Sequence, residues 1–269
     1  MMRSLWTAAS GMISQQTNID TISNNLANIN TTGYKRETAE FKSLMYQTIQ
    51  NKATDNQGNA KPVGVQVGLG VRPGAITSNF TQGSLLASSG DFDFGIQGDG
   101  FFMVKQADGS VGYTRNGNLR ISVASNGLAL SDTNGNPIIN TKGEAIILPK
   151  GTETSKLQVD LEGNLTLPDA KNNPKKIGQQ IGLAYFANPS GLEKSSDSIM
   201  KESPASGVPV LYSAGQLGSQ IVSGRLEGSN VQAVDEMVNM IIAQRAYEMN
   251  SKAITASDQM LQQANNLRS

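Results

Sequence analysis

Residues 231–269 read VQAVDEMVNMIIAQRAYEMNSKAITASDQMLQQANNLRS, a stretch without a single glycine or proline. Within it Met240, Tyr247, Ile254 and Leu261 recur every seven residues, with Ala243, Ser257 and Ala264 three positions behind their partners. A period of seven marks an α-helix that keeps one narrow apolar seam turned toward another helix. At about 1.5 Å per residue the stretch predicts a helix of roughly 55 Å. Ser229 or Asn230, both good N-cap residues, is expected to start it.

The opposite end carries the same pattern. Leu5, Met12, Ile19 and Leu26 repeat every seven residues, and Ala8, Ile22 and Ile29 form a second register that Gln15 interrupts. The first thirty residues are therefore expected to be helical. Asn24, Asn25 and Asn28 are poor helix formers, so the segment needs a packing partner to persist. One reading lays both helices on a globular body. The other pairs them with helices, because a seam of about two residues in seven suits a helix better than a sheet. On that reading the partner is the other terminus or a neighbouring copy, and Leu5, Met12, Ile19, Ile22, Leu26, Met240, Tyr247, Ile254 and Leu261 form the candidate assembly interface.

Between the two ends the texture changes. Asp108-Gly109, Asn116-Gly117, Asn126-Gly127, Asn134-Gly135 and Lys142-Gly143 supply turn chemistry with glycines eight to ten residues apart. They separate expected strands at 101–105, 119–123 and 145–148, with further strands at 157–160, 164–167 and 182–186, an antiparallel meander. The fold class expected is α+β: long N- and C-terminal helices forming a coiled-coil-like layer, a central antiparallel all-β domain, and an extended connecting region. The boundaries follow the changes of periodicity: 1–30 with 231–269 helical, 31–80 with 211–230 connecting, and 81–210 β-rich. The polar stretch Gln47–Pro73, patternless until Val63-Gly64-Val65-Gln66-Val67, is either a linker or an extended functional contact.

Composition closes many routes to chemistry. Of the 269 residues, Lys and Arg total 22 and Asp and Glu total 22, so no net charge draws the chain to nucleic acid or an anionic membrane. With no cysteine and no histidine, disulfides, thiolate nucleophiles, cysteine zinc sites and the commonest general base are all ruled out by inventory. No run of about 18 apolar residues occurs, and Thr7, Ser10, Gln15 and Gln16 break up any secretory leader, so neither membrane insertion nor a cleavable signal is expected.

No motif restores a catalytic or cofactor role. Gly95, Gly98 and Gly100 lack both the dinucleotide spacing and the Lys-Ser/Thr ending of a phosphate loop, and read as a bend before Phe101. The calcium-like start at Asp132 fails because Pro137 stands at the obligatory glycine and Gly143 at the bidentate glutamate. Asp91 with Asp93 and Asp160 with Glu162 could serve a carboxylate-dependent hydrolase, although a solvated β face explains them more simply. Arg245 and Glu248 read as a surface pair on the C-terminal helix.

Asn24-Asn25-Leu26-Ala27-Asn28, followed by Thr32-Gly33-Tyr34-Lys35, resembles the N-terminal signature shared by bacterial flagellar rod and hook proteins. Ser229-Asn230-Val231, Glu236-Met237-Val238-Asn239-Met240 and Gln244-Arg245-Ala246-Tyr247-Glu248 resemble its C-terminal mate, and Tyr113-Thr114-Arg115-Asn116-Gly117 extends the likeness into the middle. Tyr46-Gln47-Thr48-Ile49, the polar run after it, and Gly68-Leu69-Gly70-Val71-Arg72-Pro73-Gly74 are most similar to the distal-rod branch. The motif residues carried over are Asn24, Asn25, Leu26, Asn28, Gly33, Tyr34, Lys35, Gln244, Arg245 and Tyr247. The resemblance implies a non-enzymatic, self-assembling subunit without cofactor or metal, its terminal helices lining a channel, its β body outside and its polar stretch bracing neighbours. It further implies neighbouring rod and hook proteins and surrounding ring proteins as partners, a place in the periplasm, and passage through the flagellar export apparatus. A proximal-rod or hook-type subunit is the alternative within the same family, and a β-domain binding module for the cell wall or rings is the competing class.

Overall fold

In a computed structural model the described residues are 2–50, 64–124, 127–148, 157–168, 174–215 and 218–267, so the polar run 51–63 and Asn126 lie outside them. The chain divides into two compact units, one of residues 1–27, 37–78 and 232–269, the other of 28–36 and 79–231.

The first unit is built on two helices, α1 (Met2–Ala27) and α2 (Ala233–Asn266). They pack antiparallel, since Ser4 meets Ser257 near one end and Asn25 meets Glu236 near the other. The expectation of helix through residue 30 is corrected: α1 stops at Ala27, where the Asn28 carbonyl and side-chain oxygen accept the Thr31 amide and hydroxyl and turn the chain. The expected N-cap of α2 is corrected too. The residue at that position is Gln232, without a capping bond from its side chain, because Asn230 is engaged elsewhere.

Strands Glu37–Ser43 and Val71–Ser78 pair antiparallel beside α1, and Tyr46–Gln50 pairs with Val65–Gly68. The flanks of the polar stretch thus lie in β ribbons, and its middle, 51–63, on which the choice between linker and extended contact turns, lies outside the described residues. The Ser10 hydroxyl accepts the Val71 amide and anchors α1 to its ribbon.

The second unit is β-rich, and among the described residues every strand pairing in it is antiparallel. Its largest sheet has six strands, in the order Glu193–Lys194, Ile199–Lys201, Val111–Thr114, Phe101–Lys105, Gly182–Tyr185, Val210–Ser213. The strand expected at 101–105 forms at that position, and that at 119–123 forms one residue later. The strand expected at 145–148 shrinks to Ile147–Leu148, with Ala145 held by an isolated bridge to Ile139. The Asn116-Gly117 turn is also corrected. Gly117 is absent from the positive-φ glycines; a Cβ there would sit 1.6 Å from the Phe94 carbonyl oxygen, so close backbone approach is what requires glycine.

Apolar burial concentrates in this unit. Phe94, Ile96, Phe102, Leu130, Ile138 and Leu183 are among its fully enclosed side chains, and Phe101, Tyr113 and Phe186 make edge-on ring contacts in a second cluster. In the first unit the apolar side chains enclosed among the described residues are only Ala8, Ile22 and Ala243.

Two outcomes follow from this contrast. Leu183→Ala should cost about 2–5 kcal/mol in urea denaturation, the usual range for a leucine-sized core cavity, whereas Ile13→Ala in the monomer should stay within about 0.5 kcal/mol. Burial, with a smaller push from Glu202, raises the Tyr113 phenol to about 12. The unfolded chain, whose phenol titrates near its ordinary value, therefore loses that proton first, so Tyr113 favours the fold fully below about pH 10 and progressively less from there toward 12. Thermal melts on either side of pH 10 should show this loss, and Tyr113→Phe should remove part of it.

Candidate functional site: the signature segments and the helical pair

In the second unit the residues of the N-terminal signature close on a single carboxylate. Glu227, fully enclosed, accepts Lys35 Nζ on Oε1 at 2.6 Å and Arg115 Nη1 on Oε2 at 3.1 Å. The Gly83 amide is the carboxylate's third donor, the second on Oε1, at 3.0 Å, and the Glu227 carbonyl accepts the Gly33 amide at 2.8 Å. Lys35 also donates to the Thr81 carbonyl, and Arg115 donates to the Gly98 carbonyl while its guanidinium lies 5.4 Å from the centre of the Phe101 ring. Two cations thus share one buried acid. Desolvation pulls the Lys35 ammonium below its ordinary pKa; Glu227 opposes that fall and Arg115 adds to it.

Gly33 is held at φ +70°, and a Cβ on it would stand 2.7 Å from the Arg115 carbonyl carbon, so both conformation and space demand glycine. Beside it the Thr32 hydroxyl donates to Asn116 Oδ1. Asn230 completes the junction: its Oδ1 accepts the Arg36 amide at 2.7 Å, and its Nδ2 donates to the Asn79 and Thr81 carbonyls. Tyr34, in the same segment, is half-buried.

The other signature residues lie in the first unit. Asn25 is buried and behaves as a piece of backbone, its Oδ1 accepting the Glu37 amide and its Nδ2 donating to the Glu37 carbonyl, both at 2.8 Å, and to Glu236 Oε2 at 3.2 Å. Asn24, Gln244 and Arg245 are exposed, and Arg245 pairs with Glu248 at 2.8 Å in solvent, where such a pair adds little. Of the heptad positions, Ile22 is buried, Leu5, Met12, Ile19, Leu26, Met240 and Ile254 are half-buried, and Tyr247 and Leu261 are exposed. Small and polar side chains fill much of the seam between the helices, with Asn250 lying over Gly11 and Ser14 and Ser257 enclosed.

The candidate chemistry disperses. Asp93 is buried and bonded to the Ser88 hydroxyl while Asp91 is exposed; Asp160 and Glu162 are both exposed on a turn, and Glu162 faces Lys176. Among the described residues no three carboxylates gather into a metal-binding group.

Two features escape a reading of sequence. Glu227 has no local pattern, because its partners stand 192 and 112 positions away. The large apolar side chains on the far sides of the helices, among them Trp6, Ile13, Ile241 and Ile242, fall outside the seven-residue seam, although their recurrence at helical spacing is a signal that could have found them. Removing the shared acid should be the most damaging change at the junction: Glu227→Gln leaves two buried cations uncompensated, an expected loss of about 3–5 kcal/mol. Lys35→Met leaves Glu227 paired with Arg115 and should cost well below that. Chemical denaturation of both variants tests the order.

Comparison with known proteins identifies the family. The family described as flagella basal body rod protein matches residues 5–35, the flagellar hook protein FlgE/F/G D1 domain matches 95–167, and the flagellar basal body rod FlgEFG protein C-terminal family matches 222–267. The flagellar basal-body rod protein FlgG of Borreliella burgdorferi is 41% identical over 271 residues, covering 100% of this chain and 99% of the relative. That of Bacillus subtilis is 36% identical over 276 residues, with 100% of both chains covered. The flagellar hook-basal body complex protein FlhP of Bacillus subtilis is 30% identical over 274 residues, again over 100% of both. With similarity running through both ends and the β-rich middle, the chain belongs to the flagellar basal-body rod protein family.

Proposed function

We propose that this chain is a structural subunit of the bacterial flagellar distal rod, not an enzyme, and that copies of it assemble into a helical tube that transmits torque and encloses the export channel. The observation that carries the assembly reading is the unequal burial of the two units. One encloses an extensive core of Phe, Ile and Leu side chains while exposing others such as Val123 and Val208; the other encloses, among the described residues, only Ala8, Ile22 and Ala243 and leaves Trp6, Ile13, Tyr46, Ile49, Ile241 and Ile242 in solvent, a surface that association would cover.

In this reading the terminal segments 1–30 and 231–269 pair as a coiled coil and line the tube, 81–210 forms the outer layer, and 31–80 with 211–230 connects them. Open helical growth needs heterologous contacts, one surface meeting a different surface of the next copy. Rod and hook subunits would adjoin the ends of the tube, ring proteins would surround the outer layer, and the rod would stand in the periplasm. The distal-rod assignment is supported by the identity to rod proteins along the whole chain.

Electron microscopy of the purified chain at rising concentration is expected to show tubes, and compact monomers at every concentration would favour a binding module instead. Ile19→Asp or Ile254→Asp places a charge in the half-buried seam. Either change should abolish tubes while leaving the melting transition of the β-rich unit in place; tubes of normal length and number would remove the seam from the assembly mechanism.

A further inference from the structure

The backbone enters or leaves the β-rich unit four times, between residues 27 and 28, 36 and 37, 78 and 79, and 231 and 232. Every covalent path out of that unit therefore starts on one of three short segments, 28–36, 79–84 and 227–231. Inside the unit each of these segments is bonded to both of the others. The first meets the third through Lys35 and the Gly33 amide on Glu227 and the Arg36 amide on Asn230 Oδ1, at 2.6, 2.8 and 2.7 Å. It meets the second where the Arg36 carbonyl accepts the Asn79 amide at 2.8 Å and Lys35 Nζ donates to the Thr81 carbonyl at 2.9 Å. The second meets the third through the Gly83 amide on Glu227, the Gly228 amide on the Ser84 carbonyl, and Asn230 Nδ2 on the Asn79 and Thr81 carbonyls. A Cβ on Gly83 would lie 2.1 Å from the Gly228 carbonyl oxygen, so these two segments meet backbone to backbone. Arg115, the residue after the strand Val111–Thr114, fastens the group to the sheet by reaching Glu227 Oε2 and the Gly98 carbonyl.

We propose that this closed set of bonds is a clasp, that it opens and closes as one unit, and that load entering or leaving the β-rich unit along the chain passes through it, with Lys35, Glu227 and Asn230 as its positioning residues. The part concerning load rests on the assembly reading above. Apolar contacts would hold the segments together but let them slide, because hydrophobic attraction has no direction. Charge-assisted hydrogen bonds fix distance and angle together. A buried ion pair is also a poor source of stability beside apolar packing of the same volume, so its use where all the passages meet points to geometry. Glu227 and Asn230 each bond to both other segments, the first through Gly33, Lys35 and Gly83, the second through Arg36, Asn79 and Thr81. Loss of one bond therefore loosens the setting of the others.

Hydrogen exchange of the full-length monomer separates a clasp from a set of independent bonds. Lys35→Met removes only a donor, and Asn230→Ala takes the acceptor from the Arg36 amide. In both variants the amides of Gly33, Arg36, Asn79, Gly83 and Gly228 should exchange at least tenfold faster by a common factor, while those of the strands Phe101–Lys105 and Gly182–Tyr185 keep their rates. Faster exchange confined to Arg36 in Asn230→Ala, with none in Lys35→Met, would show independent bonds and overturn the clasp. Faster exchange that spreads equally to the two strands would overturn it as well, since the junction would then open only with the whole unit. In tubes of the same variants the persistence length seen by electron microscopy should fall at least twofold at an unchanged polymerisation threshold, because Lys35 is buried and Asn230 half-buried. Tubes of unchanged stiffness would overturn the role in carrying load and leave the assembly reading standing. An unmodified chain that forms no tubes at any concentration would overturn both.

Discussion

Glu227 lies where two buried cations have to be neutralised by one acid, and the rest of the β-rich unit is arranged around that requirement. Its oxygens receive Lys35 from the N-terminal signature, Arg115 from the central strands and the Gly83 amide from a third segment. A buried ammonium or guanidinium is costly unless its charge is met and its protons are bonded. The carboxylate therefore fixes where all of these segments sit, and Gly33 is confined to glycine because the chain must pass within van der Waals contact of the Arg115 backbone to bring Lys35 in. The Phe101 ring beside Arg115 links the charged junction to the aromatic cluster of Tyr113 and Phe186.

The two units solve the problem of burial differently. In the β-rich one, successive side chains of a central strand enter two buried clusters, Phe102 and Val104 one and Phe101 and Met103 the other, so both faces of that strand are covered within the unit. In the helical one, the inward seam carries Ser14, Asn25, Asn250 and Ser257 among its apolar positions, so little hydrophobic area is removed from water along helices of considerable length. Helices gain most of their stability from packing an apolar face. A thin polar seam within the chain, with larger apolar residues left outside, is a physical basis for a protein whose folding is finished by its neighbours.

Much of the candidate site was visible as pattern. The heptads of both termini located the helices to within a few residues, and the turn glycines located strands such as Phe101–Lys105. Asn25, Gly33 and Lys35 stood out as signature residues, and in the folded chain they act respectively as a backbone mimic, a positive-φ close contact and a buried counter-charge. Pattern misleads where a residue has two competing uses. Asn230 has the chemistry of a helix cap and is instead a clamp on Arg36, Asn79 and Thr81, so α2 begins at Ala233 without a side-chain cap. Asn28 belongs to the helical pattern but closes a turn, which ends α1 earlier than its periodicity suggests.

By itself the sequence determined the class of the fold, the kind of elements at each end and the exclusion of thiol and imidazole chemistry, because periodicity, turn residues and inventory are local properties that the chain carries before it folds. Only the tertiary structure decided which carboxylate neutralises Lys35, since that partner stands 192 residues away and no short-range rule links them. It alone also decided which face of each helix is used up within the chain. A helix shows all of its faces in sequence, but burial is a property of what packs against it, and that separates Ala243 in the seam from Ile241 in solvent, two residues and more than half a turn apart.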